Sequence, residues 1–377
     1  MVSRVLESRH RICLPSEGPR SVFDSQSMAG PWPRASVRLD VVREARAERV
    51  WHSRRAVVTR RERKDQLASA RVLRGAPVAK RIRAEVESAS ANFQLQAAAK
   101  PALATVLVGS APPSVAYRDA IARAMGGCGI VHHDVLLPVA ATTAMVVEGI
   151  ERLNARADVH GILVLVPLPA HIHALDVISA IDPMKDVDGI SPTSVGRLHL
   201  GLPTLYPSTP LAGLELLDYY QIPIVGRRAV VVGRGNVVGK PMAALLTARD
   251  ATVTTCHTRT VLLGDVTREA ELLVMAAGHR GLLRGEMVQA GAIVIDFGVN
   301  VSAGRVFGDA DADTVSRVAG AFTPVPGGTT PVTTMALARN TVTAAFAQAL
   351  QHLPEPRATD GQPGSIRIEP RAVHVVP

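Results

Sequence analysis

The sequence predicts an α/β protein of two domains. Its 377 residues exceed the usual span of one domain, and 47% of them are hydrophobic, which is enough for two apolar cores. Strand-length apolar runs alternate with segments of helical period between residues 71 and 350, a pattern typical of parallel sheets flanked by helices. A long irregular stretch at 181–210 separates two such series and is expected to connect domains or carry function.

The first series begins with a helix, in which Val78, Ile82 and Val86 recur at a helical period. Continuous apolar runs, as in buried parallel strands, then alternate with helical segments. Strands are predicted at 102–109, 133–138 and 161–166, and helices at 114–126 and 142–155. Any site of such a sheet is expected beyond the carboxyl ends of its strands.

The second series follows the same rhythm. Its helices are predicted at 209–220, at 242–248 and from 332 to about 350, and its strands at 228–232, 252–256, 271–278 and 291–300. A second irregular segment, TPVPGGTTP, lies at 323–331. Residues 351–377, which include PEP and DGQPG, are expected to be a disordered tail.

The net charge of +9 is concentrated at the N-terminus. Residues 1–70 hold 15 basic and 8 acidic residues, whereas the other 307 residues hold 27 and 25. Eight acidic residues argue against a transit peptide. The segment is interpreted as a disordered basic extension or the product of a start placed too early, with Met28 as the alternative start. A nucleic-acid-binding arm is the remaining alternative, but no nucleic-acid-binding motif accompanies it.

Cysteine number and hydropathy exclude several classes of protein. Three cysteines, far apart in the chain, match no metal-ligand spacing and favour a reducing compartment. No apolar run approaches the roughly 18 residues of a spanning helix. The sequence therefore predicts a cytoplasmic protein with no metal site, no membrane partner and no nucleic-acid partner.

A glycine-rich turn follows the strand that ends at Val232. Gly233, Gly235 and Gly239 form a GxGxxxG pattern between that strand and a helix. Glycines allow a tight turn and a close approach to a pyrophosphate, which the free N–H groups of the helix N-terminus then bind. The strand before the turn and the helix after it make this a credible nucleotide site.

The residues around this turn favour NADP over NAD. An enzyme that uses NAD usually has an acidic residue at the end of the second strand, on the ribose 2′-hydroxyl. This chain has His257, Thr258 and Arg259 there, and Arg234 within the turn. Arginine suits a 2′-phosphate, although solvated surface arginines are the alternative interpretation.

A series of motifs in a fixed order resembles one enzyme family. The motifs are SVAY at 114–117, HGILVLVPLP at 160–169, KDVDG at 185–189, VGRL at 195–198, PSTP at 207–210, VVVGRGNVVGKPMAALL at 230–246, ATVTTCHTRT at 251–260, GDAD at 308–311 and TPVPGG at 323–328. Taken alone, KDVDG would be interpreted as a polar turn. Together, across about residues 71–350, the motifs resemble the bifunctional methylenetetrahydrofolate dehydrogenase/methenyltetrahydrofolate cyclohydrolase family.

The resemblance implies an architecture and a set of partners. It implies a three-layer α/β folate-binding domain at 71–209, a Rossmann-type NADP-binding domain at 210–331, and a C-terminal helix at 332–350 that returns to the first domain. Tetrahydrofolate derivatives are the expected partners, and a homodimer is expected because family members commonly form one.

The resemblance also assigns roles to individual residues. Tyr117 would pack against the pterin, and Asp188 would accept hydrogen bonds from its amino and ring N–H groups. Arg234 and residues 257–259 would hold NADP, and Pro326, Gly327 and Gly328 would lie beside the substrate.

Two departures from the family pattern affect chemistry. Ile121 stands where the resemblance places a lysine, and Leu165 where it places a glutamine. That lysine would activate the folate one-carbon unit and its attacking water, and the glutamine would position it; alkyl side chains do neither. Arg118 and Arg123 do not share the helix face of position 121 and are too basic to exchange protons near neutrality.

Smaller departures occur at three further positions. Gly235 replaces a usual serine, Ser208 a usual cysteine, and Thr330 a usual glycine, which is expected to reshape the adjacent loop. The sequence therefore predicts an NADP-dependent dehydrogenase with doubtful cyclohydrolase activity. The alternatives are a fully bifunctional enzyme and a degenerate paralogue that binds NADP or folate without turnover.

Overall fold

Strands and helices alternate along residues 70–351, the part of the chain that the computed structural model of this protein describes. The strands are Arg71–Val72 (β1), Ala102–Val108 (β2), Val131–Leu137 (β3), Gly161–Val164 (β4), Arg228–Val232 (β5), Thr252–Cys256 (β6), Leu272–Met275 (β7), Ile293–Asp296 (β8), Asn300–Ser302 (β9), Arg305–Phe307 (β10) and Ala321–Phe322 (β11). The helices are Gly75–Ala97 (α1), Pro112–Gly127 (α2), Thr143–Asn154 (α3), Ala174–Ser179 (α4), Pro192–His199 (α5), Ser208–Tyr219 (α6), Gly239–Ala248 (α7), Leu263–Thr267 (α8), Ala312–Val315 (α9) and Thr329–Gln351 (α10). A 3₁₀ turn lies at Gly285–Met287.

The first sheet has three parallel strands in the order β3-β2-β4. Strand β2 is buried along its whole length, and its side chains alternate between two cores. Leu103 and Leu107 belong to the core that α1, α2 and α10 share. Ala104 and Val106 belong to the core of α3 and α4 on the opposite face. Helices cover both faces, which confirms the predicted three-layer domain.

The second sheet has six parallel strands in the order β1-β11-β8-β7-β5-β6. Strand β5 alternates in the same way: Val231 packs with α6 and α7, and Val230 and Val232 pack into the core on the other face. A parallel sheet covered on both faces is the predicted Rossmann-type domain. The carboxyl ends of β5, β6, β7 and β8 meet at one edge of this sheet.

The C-terminal helix α10 returns to the first domain, as predicted. Its apolar residues share a core with α1, α2 and β2. Two arginines anchor the same region, because Arg81 on α1 and Arg339 on α10 both bond Glu215 on α6, at 2.6 and 2.5 Å. Every helix in the described range is too short or too polar to cross a bilayer.

Four local expectations from the sequence are wrong. The stretch 181–210 is not wholly irregular, because it contains α5, which the Ser191 side chain caps. The strand predicted at 291–300 ends at Asp296, and a separate hairpin of β9 and β10 follows. The 271–278 strand is shorter, ending at Met275. Strand β1 pairs with β11 in the second sheet rather than opening the first domain.

The basic N-terminal extension and the C-terminal tail lie outside the described residues. Ala70 is the first residue that the structure describes, and its N–H donates to the carbonyl of Ser316 at 3.2 Å. The last described residue, Gln351, ends α10.

Candidate active site

The KDVDG loop follows α4 and sends its three charged side chains to three different places. Lys185 is 5% exposed, and its ammonium donates to the carbonyls of Leu153, Asn154 and Arg156 at 3.2, 2.7 and 2.7 Å. It therefore satisfies two carbonyls of the last turn of α3 and one just beyond that helix. Asp186 is fully buried and accepts the N–H groups of residues 190 and 191. These two charges stabilise the loop itself.

Asp188 is the charged group of this loop that faces Tyr117 and Ser208. The Ser208 hydroxyl donates to Asp188 Oδ1 at 2.6 Å. Burial raises the pKa of Asp188 to about 6; the bond from Ser208 lowers the pKa, and the charge of Asp186 raises it further. This carboxyl group is thus a partly desolvated acceptor that is ionised at neutral pH.

Tyr117, on α2, approaches this carboxylate. Its side chain is 41% exposed overall, but its hydroxyl is desolvated. Burial, and then the charge of Asp188, raise the pKa of Tyr117 to about 12. The hydroxyl therefore stays protonated and able to donate, while part of the ring remains open to a ligand. The structure places Tyr117 close enough to Asp188 for the charge of the carboxylate to raise the pKa of the hydroxyl.

Ile121 and Leu165 are buried in one apolar cluster. They are 0% and 3% exposed, and the cluster also contains Leu107 and Val187. Val187 directly precedes Asp188, so this apolar wall adjoins the candidate folate site. At the two positions where the resemblance places a lysine and a glutamine, the side chains are therefore apolar and are surrounded by other buried apolar side chains.

The arginines near Ile121 do not replace a catalytic lysine. The guanidinium of Arg118 contacts Asp119 at 2.6 Å and Asp134 at 3.1 Å, and the Asp119 hydrogen bond raises the pKa of Arg118. Arg123 is exposed to solvent. Neither guanidinium is placed to exchange a proton with a group beside Ile121.

In the glycine turn after β5, the backbone passes very close to the residue that follows β7 and to the start of α7. Gly233 has φ +122°, and a Cβ added there would lie 2.0 Å from the carbonyl oxygen of Ala276. A Cβ on Gly239, the first residue of α7, would lie 2.2 Å from the Gly233 oxygen. Gly235 has open space around it and no left-handed backbone, so the turn itself does not require a glycine there.

The predicted NADP residues surround this turn. Val232 pairs with Cys256 in the sheet, which places the residues after β6 beside the turn after β5. Arg234, Thr258 and Arg259 are exposed. The chain after β6 is shaped by His257, whose N–H donates to Thr260 Oγ1 and whose ring Nδ1 accepts from the Arg259 N–H. Residues 256–260 include no acid, so this edge suits an anionic group.

Two buried aspartates organise the carboxyl edge of the second sheet; neither is among the predicted site residues, although Asp309 lies in the GDAD motif. Asp309 accepts the backbone N–H groups of residues 277–279 at 2.7 to 2.9 Å. Asp296 accepts those of Gly298, Asp309 and Ala310. Burial raises the pKa of Asp296 to about 6, against the effect of these bonds. An aspartate at the end of a buried apolar strand was the available signal.

The TPVPGG loop connects β11 to α10. Gly327 has φ +102°, and a Cβ on Gly328 would lie 2.6 Å from the Pro324 carbonyl oxygen. Pro326 precedes them in a cis peptide bond. Thr330 lies within α10 and has no left-handed backbone, so the expected reshaping of the loop by this threonine has no backbone cause.

Gly75, which belongs to none of the sequence motifs, is the first residue of α1. Its N–H donates to the carbonyl of Gly327 at 2.8 Å, and a Cβ added to it would lie 1.9 Å from the Gly328 oxygen. The start of α1 is thus pressed against the loop that the sequence predicts to lie beside the substrate.

Known proteins match this chain in both domains. Residues 73–188 match the family domain described as "Tetrahydrofolate dehydrogenase/cyclohydrolase, catalytic domain", and residues 207–349 match the NAD(P)-binding domain of the same family. The chain belongs to the tetrahydrofolate dehydrogenase/cyclohydrolase family. The family assignment made from the sequence motifs is therefore confirmed.

Individual members of the tetrahydrofolate dehydrogenase/cyclohydrolase family are similar over nearly their whole length. The bifunctional protein FolD of Herpetosiphon aurantiacus is 44% identical over 284 residues, which are 75% of this chain and 99% of that protein. The FolD crystal structure from Campylobacter jejuni superposes with a TM-score of 0.72 at 39% identity, over 74% of this chain and 99% of that one.

A further structural relative carries a cofactor. It is the methylenetetrahydrofolate dehydrogenase-cyclohydrolase of Trypanosoma brucei complexed with NADP and an inhibitor, with a TM-score of 0.71 at 37% identity, over 74% of this chain and 98% of that one. Tyr117, Ile121, Leu165 and Asp188 all lie within the matched catalytic domain, and the glycine turn lies within the matched nucleotide domain.

Proposed function

We propose that this chain oxidises 5,10-methylenetetrahydrofolate to 5,10-methenyltetrahydrofolate with NADP, and hydrolyses the product slowly or not at all. The observation that carries the proposal is a contrast within one site. The polar pair Tyr117 and Asp188 is present, whereas Ile121 and Leu165 form a buried apolar wall beside it. Groups for binding are retained, and groups for managing water are absent.

Tyr117 and Asp188 bind and orient the substrate in this proposal. The carboxylate of Asp188 accepts from the adjacent amino and ring N–H groups of the pterin, and the exposed part of the Tyr117 ring covers the pterin face. Oxidation breaks a C–H bond of the methylene carbon, and the hydrogen leaves as hydride with both electrons. The product is a cation stabilised by the two flanking nitrogens, so no protein base is required. Proximity and orientation are what the chain supplies.

NADP is the cofactor. Gly233 leaves the backbone space that a Cβ would fill, and the N-terminal N–H groups of α7 lie beyond it. Arg234 and Arg259 are exposed where an acidic residue would repel a 2′-phosphate, which supports their roles in binding it. NADP bound there supplies the acceptor for the hydride.

Hydrolysis of the methenyl bridge makes a different demand. A water must be held against the bridging carbon and must lose a proton as the C–O bond forms. Ile121 and Leu165 have no atom that accepts or donates this proton. Arg118, three residues before Ile121, is held by Asp119 and Asp134, and Arg123, two residues after it, is exposed to solvent.

We also propose that the protein forms a homodimer in the cytoplasm. Strand β3 is an edge of its sheet, and Val131, Leu136 and Val139 are 38%, 56% and 64% exposed there. A cleft of about 320 Å³, lined in part by Leu136 and Arg118, opens beside this edge. An apolar sheet edge is suited to pairing with a second copy. Cys128 and Cys256 are free thiols, in keeping with a reducing compartment.

Binding and turnover measurements test the proposal. The purified chain is expected to bind NADP and to produce reduced nicotinamide from methylenetetrahydrofolate, with methenyltetrahydrofolate accumulating. Binding of NADP and folate without any reduced nicotinamide would contradict the enzyme assignment and favour the degenerate paralogue. Sedimentation at micromolar concentration is expected to give twice the mass of the chain, and the mass of one chain would contradict the dimer.

A further inference from the structure

Two loops that are distant in sequence meet at the carboxylate of Asp188. One is the KDVDG loop, and the other is the segment at 205–208 that leads into α6. The Ser208 hydroxyl donates to Asp188 Oδ1 at 2.6 Å. Ser208 is the first residue of α6, so the Asp188 carboxylate lies at the N-terminus of this helix, where a negative charge is favoured.

The same two loops are joined at a second point by the C-terminal helix. The Asn340 amide, on α10, donates to the carbonyls of Val187 at 2.8 Å and Tyr206 at 2.9 Å. Asn340 is 5% exposed. These carbonyls belong to the residue just before Asp188 and to the residue two before Ser208, so one buried side chain sets the separation of the loops.

A third contact fixes the loops from the backbone side. Gly189 has φ +59°, and a Cβ added there would lie 2.6 Å from the Leu205 carbonyl oxygen. The position is thus available to glycine alone. The two loops are therefore held together at three points, and the Ser208 hydroxyl is the one of the three that bonds the Asp188 carboxylate itself.

The side chain at position 208 must donate a hydrogen bond to the Asp188 carboxylate, so its chemical type decides the strength of that bond. A hydroxyl donates a short, strong hydrogen bond to a carboxylate, whereas a thiol is a weak donor. The bond holds one oxygen and the plane of the carboxylate, which leaves a fixed direction for the pterin donors. Ser208 is 3% exposed, so water does not compete for it.

We propose that Ser208 is a positioning residue that orients Asp188 and keeps it ionised for substrate binding, with Asn340 holding the two loops in register. The inference rests on the proposed function, because the carboxylate that Ser208 orients is the one assigned to the pterin. Two titratable groups face this carboxyl: Tyr117 from α2 and Asp186 from its own loop. The variants below leave both unchanged.

The test compares Ser208→Ala and Ser208→Cys with Ser194→Ala in the full chain. Ser194 is also buried, and its hydroxyl accepts from Ser191 in the α5 cap, away from Asp188. Removing the donor is expected to raise the pKa on the acid limb of the kcat/KM profile by about one pH unit. The value of KM is expected to rise about fivefold at pH 6, because the ionised fraction of Asp188 falls, with kcat changed less than threefold. Cysteine is expected to give an intermediate result, and Ser194→Ala none.

A second measurement separates this inference from the proposed function. Carboxyl resonances of aspartate are followed by carbon NMR without substrate, and Asp188 is assigned by its loss in Asp188→Asn. Ser208→Ala is expected to move the Asp188 titration to higher pH. This shift supports the inference about Ser208 even if none of the proteins catalyses the reaction. Absence of catalysis would contradict only the proposed function. An Asp188 titration that is unchanged in Ser208→Ala overturns the inference whether or not the enzyme is active.

Discussion

Restoring a lysine and a glutamine at positions 121 and 165 tests the apolar wall directly. Ile121 is fully buried and Leu165 nearly so, in a shared cluster. The pKa of a lysine buried alone in such a cluster falls by about 3 to 5 units. At pH 7 this makes Ile121→Lys less stable than the natural chain by roughly 4 kcal/mol. Leu165→Gln leaves a buried amide unpaired and costs about 3 kcal/mol.

The double variant should be less destabilised than the sum of the two single variants. The glutamine oxygen accepts from the ammonium, and a hydrogen bond to a charged group returns about 1.5 to 3 kcal/mol. A double-mutant cycle of denaturant unfolding at pH 7 measures this coupling free energy. The apolar pair Ile121→Met and Leu165→Met is the matched control, with an expected cost below about 1.5 kcal/mol each.

The pH dependence gives a signature that packing defects lack. The folded pKa of the new lysine lies below its unfolded value of about 10.4, so its penalty is present at low pH and disappears as the pH rises toward 10. Methionine at position 121 has no such dependence. If Ile121→Lys is as stable as the natural chain at pH 7, the position has access to water and the reasoning about the wall is refuted.

Three further predictions concern the nucleotide domain. Gly233→Ala forces a Cβ to within 2.0 Å of a carbonyl oxygen, so NADP should no longer raise the melting temperature of this variant. Gly235→Ala has open space around the new Cβ, so NADP should raise its melting temperature as in the natural chain. Equal responses of the two variants would contradict the assigned turn. Arg259→Ala should weaken NADP binding by about 10- to 100-fold and leave NAD binding unchanged, and equal losses would exclude a contact with the 2′-phosphate. Burial raises the pKa of Asp296 to about 6, so ionisation costs the folded state about 3 kcal/mol, and stability is lost as the pH rises from 4 to 7. Asp296→Asn should lack this loss, and parallel stability curves would contradict it.

The layered parts of the fold are predictable from sequence because their signal is local. Each buried strand, such as β2 or β5, is a continuous apolar run, and each flanking helix repeats its apolar residues at a helical period. The helix α5 also carried local signals, since Ser191 caps it and Pro192 is its first residue. The length of the surrounding polar stretch concealed them. Strand β1 has two residues and therefore no period to detect.

The site divides in the same way. Tyr117, Asp188 and the glycine turn are found from motifs, because their spacing in the chain is characteristic. Other parts of the site depend on partners that lie 29 to 153 residues away in the chain. They are the bonds of Lys185 at the end of α3, the bonds of Asn340 to two loops, and the bonds that Asp309 accepts. A single sequence contains no distance between such residues, so these parts follow only from the folded structure.

The central proposal is that the chain oxidises methylenetetrahydrofolate much faster than it hydrolyses the methenyl product. The most direct test follows reduced nicotinamide and the methenyl product together, after mixing the purified chain with methylenetetrahydrofolate and NADP. The account predicts that both products accumulate together, and that the methenyl form declines much more slowly than reduced nicotinamide is produced until the Ile121→Lys, Leu165→Gln variant is added. If the natural chain itself removes the methenyl form as quickly as reduced nicotinamide is produced, a catalytic group other than the lysine is present and the account is wrong.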